Sequence, residues 1–260
     1  MLIRDVYDAI ERMAPFERQD SWDNSGLLVG GMEREVNTII TCVDVSDEVV
    51  DFAIENKADL IIAHHPLIFR GMKRINDEDF IGRRIIKLVK HDISLIAAHT
   101  NADMMLLAKL SAQMLGLTKT KVLEVTGNEG NKEYGYGEVG NLPSKMSLRE
   151  CAELVKKTFE LESVRIFGDL DKQIEYAAIS PGSGKSFIDV VVANKCDVYI
   201  TGDIDHHNGI DAVARNTNVI DAGHYGIEKI FAESMKQYIE KEICNTNVIC
   251  YKGKNPFVVM

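Results

Sequence analysis

The chain has 260 residues, 45% of them hydrophobic and 27% charged, the composition of an ordinary globule with room for one large or two modest domains. Its formal net charge of -10 argues against nucleic-acid binding, which needs a basic face to displace counterions, and leaves only a local basic pocket for a phosphorylated small molecule. Five cysteines, Cys42, Cys151, Cys196, Cys244 and Cys250, form no C-x-x-C pair and read as reduced, mostly buried thiols of a cytoplasmic protein. No signal peptide is expected at the start, and no apolar run approaches the roughly 20 residues that span a bilayer.

The first periodic segment, Leu2 to Met13, is an amphipathic helix with Ile3, Val6, Tyr7 and Ile10 on one face, stopped by Pro15. Trp22-Asp23-Asn24-Ser25-Gly26 is turn chemistry, with Asp23 and Asn24 as turn-formers. Strands follow at Leu27 to Val29 and Thr38 to Val45. Ser46 caps a helix that runs to about Asn56. Asp59 to Ala63 and Ile93 to Ala98 are continuous apolar runs, as strands buried on both faces should be, and helices Phe80 to Lys90 and Met104 to Leu115 alternate with them. Residues 122 to 133 are polar and glycine-bearing and read as a linker.

A second series follows the linker. Strands are expected at Gly137 to Leu142, Ser163 to Phe167, Tyr176 to Ser180, Asp197 to Ile200, Val219 to Asp221 and Asn247 to Tyr251. Helices are expected at Ser147 to Phe159, Phe187 to Ala193 and Glu228 to Lys241. No short repeat stands out. The order predicts an α/β fold of two α/β halves, residues 1–125 and 126–260, with parallel pairing and a site in the cleft between them.

Chemistry concentrates where the apolar runs end. Ala63-His64-His65-Pro66, His99-Thr100-Asn101-Ala102-Asp103 and Asp221-Ala222-Gly223-His224 with Glu228 combine imidazoles and carboxylates without thiolates, which points to divalent metal rather than a zinc finger. His224 and Glu228 are four apart, so one helical face presents both. His64 and His65 are adjacent and point apart on a regular strand, so they suit two different ions. Five ligands, His64, His65, Asp103, His224 and Glu228, exceed what one catalytic zinc needs. They fit a pair of ions about 3.5–4 Å apart, with Glu228 or a hydroxide as the bridge. Each histidine alone reads more simply as a hydrogen-bonded structural residue; the joint occurrence carries the metal reading.

Other motifs weigh less. Ser180-Pro181-Gly182-Ser183-Gly184-Lys185-Ser186 fails the P-loop pattern because Ile179 stands where a glycine is required. Its glycines read as tight strand-to-helix packing, with a phosphate contact as the alternative. His207 is a candidate to move protons; otherwise Asp203 simply caps a helix running through it. His99 is a candidate for proton transfer or for orienting Asp103 or a ligand histidine. Trp22, the sole tryptophan, either stacks on a ligand base or covers a core edge.

Together these segments resemble the NGG-interacting factor three family, also called GTP cyclohydrolase type 2 homologs. The matching pieces are Trp22 to Gly30, Ala63 to Pro66, His99 to Asp103, Thr201-Gly202-Asp203 with His206 and His207, and Asp221 to Tyr225 with Glu228. The resemblance implies a two-part α/β subunit, a homohexamer, and a metal pair on His64, His65, Asp103, His224 and Glu228. Some members carry an inserted domain, which would fall at the linker. The expected function is a dinuclear metal-dependent hydrolase of GTP cyclohydrolase type, in which water attacks the guanine imidazole ring. The ions are zinc, iron, manganese, cobalt or nickel, and the partner is a small molecule of nucleotide type, with no membrane. The alternative is a non-catalytic metal-binding scaffold or metal-handling protein.

Overall fold

The buried apolar runs form the parallel strands of two separate sheets in the computed structural model, which describes residues 1–258 and 260. One unit comprises Met1–Ala102 with Phe231–Gly253, the other Asp103–Ile230 with Lys254–Met260. The chain therefore passes between the units at residues 102/103, 230/231 and 253/254.

The first unit opens with helix α1 (Ile3–Met13), whose Ile3, Val6, Ala9 and Ile10 are buried. Its sheet contains β1 (Gly26–Val29), β2 (Thr38–Cys42), β3 (Leu60–Ala63), β4 (Ser94–Ala97) and β11 (Asn247–Cys250), in the order β1-β4-β3-β2-β11. Strands β11, β2, β3 and β4 pair in parallel and β1 runs antiparallel at the edge. Helix α2 (Asp47–Glu55) links β2 to β3, with the Ser46 hydroxyl accepting the Val49 amide as the capping pattern predicts. Helix α3 (Phe80–Lys90) precedes β4, and a short turn, α4 (Thr100–Ala102), follows it. Every residue of β3 and β4 is buried, which is why, Ser94 apart, both read as apolar runs.

The second unit begins with a π-helical stretch, Asp103–Leu107, leading into α5 (Ala108–Leu115). Next come β5 (Thr118–Glu129) and β6 (Lys132–Ser147), which pair antiparallel as a long hairpin. This corrects the expectation of a linker at residues 122–133. Its first strand is held mainly by the backbone ladder, since β5 is an edge strand exposed along most of its length, so an apolar pattern gives little sign of it. The legible signal was Gly130-Asn131, a two-residue loop between paired Glu129 and Lys132, with Gly130 at φ 61 as a primed hairpin turn requires.

The rest of this unit comprises α6 (Leu148–Thr158), β7 (Arg165–Phe167), β8 (Gln173–Ser183), α7 (Ile188–Ala193), β9 (Val198–Gly202), α8 (His206–Ala214), β10 (Asn218–Asp221) and α9 (His224–Glu228). Its sheet order is β5-β6-β8-β9-β10-β7, with β8, β9 and β10 parallel and β7 antiparallel at the edge. The last helix, expected from Glu228, starts at His224 as α9 and resumes as α10 (Ile230–Glu242). Among the described residues, no helix is long and apolar enough to cross a membrane.

The two units repeat one plan that no short sequence repeat announces. Strand order β1-β4-β3-β2 in the first matches β7-β10-β9-β8 in the second, each with its antiparallel strand outermost. Asn56-Lys57-Ala58-Asp59 and Asn194-Lys195-Cys196-Asp197 enter the equivalent strands β3 and β9 identically. Lys57 and Lys195 take φ 51 and φ 55. Asp59 Oδ2 accepts the amides of Asn37 and Thr38, and Asp197 Oδ2 those of Glu175 and Tyr176.

Candidate metal centre

In the first unit every candidate side chain lies at one edge of the sheet, because β2, β3 and β4 all end there and antiparallel β1 begins there. Asp44 lies two residues beyond β2, His64 and His65 directly follow β3, and His99 stands two beyond β4. Ligand atoms of His64, His65 and His99 lie within 4.8 Å of one another. The His99 ring meets those of His64 and His65 edge-on, at centroid distances of 5.2 and 5.4 Å.

Each of these imidazoles is held by its Nδ1. His64 donates to the Ala98 carbonyl at 3.0 Å, His65 to Asp44 Oδ1 at 2.7 Å and His99 to Asp23 Oδ1 at 2.8 Å. A carbonyl or carboxylate oxygen only accepts, so Nδ1 is the donor in each pair and the ring is held in one orientation. Asp23 is more than a turn-former. Its fully buried side chain also accepts the Thr100 amide and hydroxyl. Burial alone would raise the Asp23 carboxyl, but the hydrogen bond and charge of His99, with the Thr100 donors, outweigh it and hold Asp23 well below the usual carboxylate range.

The second unit's candidates also stand at strand ends. Asp203 follows β9, and His224 opens α9 three residues beyond β10. His224 Nδ1 donates to Asp203 Oδ2 at 2.7 Å and Nε2 lies 3.1 Å from Glu228 Oε2. Glu228 is 3% exposed, and one of its oxygens lies within 4.8 Å of an oxygen of Asp103, the residue that opens the π-helical stretch. Such π-helical turns often mark functional positions. Burial would lower the His224 imidazole, but the hydrogen bonds and charges of Glu228 and then Asp203 push it up to about 9. Asp203 therefore orients His224, and the α8 cap expected of it falls to Asp205, which accepts the Asn208 amide.

Glycines make room for this cluster. Gly182, at φ 75, lies against Glu228, and an added Cβ would stand 2.3 Å from Glu228 Oε1. The Gly184 end of the same segment packs on Tyr199 and Thr201, as the strand-to-helix reading expects. Asp221 fixes the turn after β10: it accepts the Gly223 and Ile204 amides and pairs with Arg165.

The donor chemistry of both clusters fits divalent ions. One offers three oriented nitrogens; the other offers two carboxylates and a fourth imidazole. Two carboxylates this close, one of them buried, repel each other unless positive charge compensates them. His207 stands apart from these groupings, exposed in the first turn of α8 with its ring against His206. The braces Asp44, Asp203 and Asp23 escaped the sequence reading as such. Their available signal was position, since each lies just outside a strand that neighbours a histidine-bearing strand.

Residues 1–256 match the family described as Duf34/NIF3 (NGG1p interacting factor 3). A Clostridium acetobutylicum protein named GTP cyclohydrolase 1 type 2 homolog is 34% identical over 253 residues, covering 95% of this chain and 94% of its own. The crystal structure of a Staphylococcus aureus hypothetical protein matches 100% of this chain and 99% of its own, at 30% identity and a TM-score of 0.90. A Bacillus cereus protein related to NIF3 shares the fold over 100% of this chain and 99% of its own, at TM-score 0.93 and 24% identity. The chain belongs to the Duf34/NIF3 (NGG1p interacting factor 3) family.

Proposed function

We propose that this protein is a divalent-metal-dependent hydrolase acting on GTP or a related purine nucleotide. His64 and His65 from the first unit, with Asp103, His224 and Glu228 from the second, would hold two ions. The observation that carries this reading is the uniform bracing of His64, His65, His99 and His224, each fixed through Nδ1 by an oxygen acceptor. Cores rarely fix four imidazoles through the same ring nitrogen, whereas metal sites do.

When bound, such ions supply Lewis acidity and activate water at neutral pH. The chain's own residues do the rest. Asp23 holds His99 with Nε2 available to take or give a proton, and its charge stabilises the imidazolium that results. His207 is the second candidate for proton transfer. The relatives' name, GTP cyclohydrolase 1 type 2 homolog, supports ring hydrolysis of guanine. One water opens the imidazole ring to a formamide and a second releases formate. The family resemblance also supports a homohexamer, which light scattering on the purified protein would test.

The deciding experiment is elemental analysis of protein purified without chelator, followed by formate release from GTP with zinc, manganese, iron, cobalt or nickel. Two equivalents per chain and activity lost in folded His64→Ala support the hydrolase. Absence of turnover with every metal across a nucleotide panel would sink it. That outcome favours the second reading, a metal-binding platform, for which the family description as an interacting factor speaks.

A further inference from the structure

The only tryptophan of the chain is turned toward solvent beside the first unit's imidazoles. Trp22 is 56% exposed and Phe69 is 45% exposed. Their rings meet at 6.0 Å and 62°, and Trp22 meets His99 at 6.1 Å and 76°. Both contacts are edge-on, so neither neighbour stacks on the indole, and a planar ring lying against it would complete the packing.

The loop bearing Trp22 is not slack. Gln19 closes it, with Nε2 donating to the Ser25 carbonyl and Oε1 accepting the Ser25 amide at 2.6 Å. The Asp20 amide donates to the Thr100 hydroxyl, and Asp23 is bonded to His99 and Thr100. Asn24 Nδ2 donates to the Ile68 carbonyl, fastening this loop to the residue before Phe69. A fold that spends this many polar contacts fixing two aromatic rings in the open has preorganised a binding surface. Directly beyond Phe69 come exposed Arg70, Lys73 and Arg74, a local positive run in a chain of net charge -10.

We infer that Trp22 and Phe69 form the wall on which the planar ring of a purine nucleotide stacks, beside His64, His65 and His99. Arg70, Lys73 and Arg74 supply charge for its phosphates. This deepens the nucleotide reading of the same site and rests on it. Stacking tolerates any base, so the wall sets binding of the ring, while the imidazoles beside it set the chemistry.

Because Trp22 is the sole indole, its fluorescence reports this contact directly in full-length protein purified without chelator. GTP and guanosine should quench it saturably, and ribose 5-phosphate should not. By calorimetry, Trp22→Ala should weaken GTP binding about tenfold. Trp22→Phe should retain most of the affinity, and Phe69→Ala should lose less than Trp22→Ala. Lys73→Ala with Arg74→Ala should weaken GTP while leaving guanosine unchanged. Metal content should stay at the wild-type value in all of these, showing that the imidazoles remain in place. Quenching without turnover under any metal would retain the wall and remove the hydrolase. Turnover of GTP with no quenching, or with unaltered affinity in Trp22→Ala, would retain the hydrolase and overturn the wall. A dilution-dependent shift in Trp22 emission without ligand, unaffected by GTP, would also overturn it, assigning the surface to a second copy of the chain.

Discussion

The two units use one scaffold for different chemistry. Beyond β3 the first unit carries His64 and His65; the equivalent positions in the second unit are Gly202, the last residue of β9, and Asp203. Beyond β4 it carries His99 and Thr100, and beyond β10 the second unit carries Gly223 and His224. The first strand-end cluster is therefore rich in nitrogen, and the second pairs two carboxylates with one imidazole. Strand entry is conserved between the units through Asp59 and Asp197, while the strand ends diverge. Framework residues fix position; the exposed ends of parallel strands are free to vary.

The sharpest way to break this contrast is to delete one ligand from each cluster. His64→Ala and Glu228→Ala should each remove at least one ion per chain and lower turnover by about 100-fold or more, as losing Lewis-acid stabilisation implies. Elemental analysis beside formate release would check both. Retention of both ions in either variant would break the assignment for that cluster.

A second test compares the braces. Asp44→Asn and Asp203→Asn keep an acceptor for His65 and His224 but remove its charge. Each should weaken metal binding by about 10- to 100-fold, the usual effect of an outer-shell carboxylate. Competition with a chelating dye measures it. Equal losses would show the two braces to be equivalent; no loss in either would leave the imidazoles merely hydrogen-bonded.

Glycine substitutions give a smaller effect. Gly182→Ala places a methyl 2.3 Å from Glu228 Oε1 at φ 75, whereas Gly71→Ala in the first unit meets nothing within 4 Å. The first should cost about 1–3 kcal/mol and the second stay within about 0.5 kcal/mol, read from urea unfolding. Equal stability of the two variants would remove the cradle.

The smallest effect concerns Glu138 in β6. Burial raises its carboxyl above the ordinary value, against the opposing charge of Lys109 and a hydrogen bond from Thr120. The folded state then holds the proton more tightly than the unfolded chain. The contribution of Glu138 to stability is therefore most favourable at acid pH, below the unfolded value near 4, and declines as pH rises through the raised folded value. Glu138→Gln should stabilise the protein at pH 7 by under about 1 kcal/mol, with the gain vanishing near pH 4. A gain independent of pH would assign the effect to packing instead.

The sequence by itself determined the alternation of strands and helices, because β3, β4, β9 and β10 are wholly buried and each therefore centres on consecutive apolar residues. Local caps were equally legible: Ser46 and Ser147 each accept the amide three residues on. The histidines and carboxylates stood out because they interrupt those apolar runs. Tertiary structure alone decided which acid holds which imidazole, since Asp44 and His65 lie 21 residues apart and Asp23 and His99 lie 76 apart. It also decided that residues 118–147 form a hairpin, whose ladder of backbone hydrogen bonds leaves almost no mark on side-chain pattern, and that the chain's last helix and strand complete the first unit. Burial writes itself into composition residue by residue; pairing between distant segments depends on where the backbone brings them.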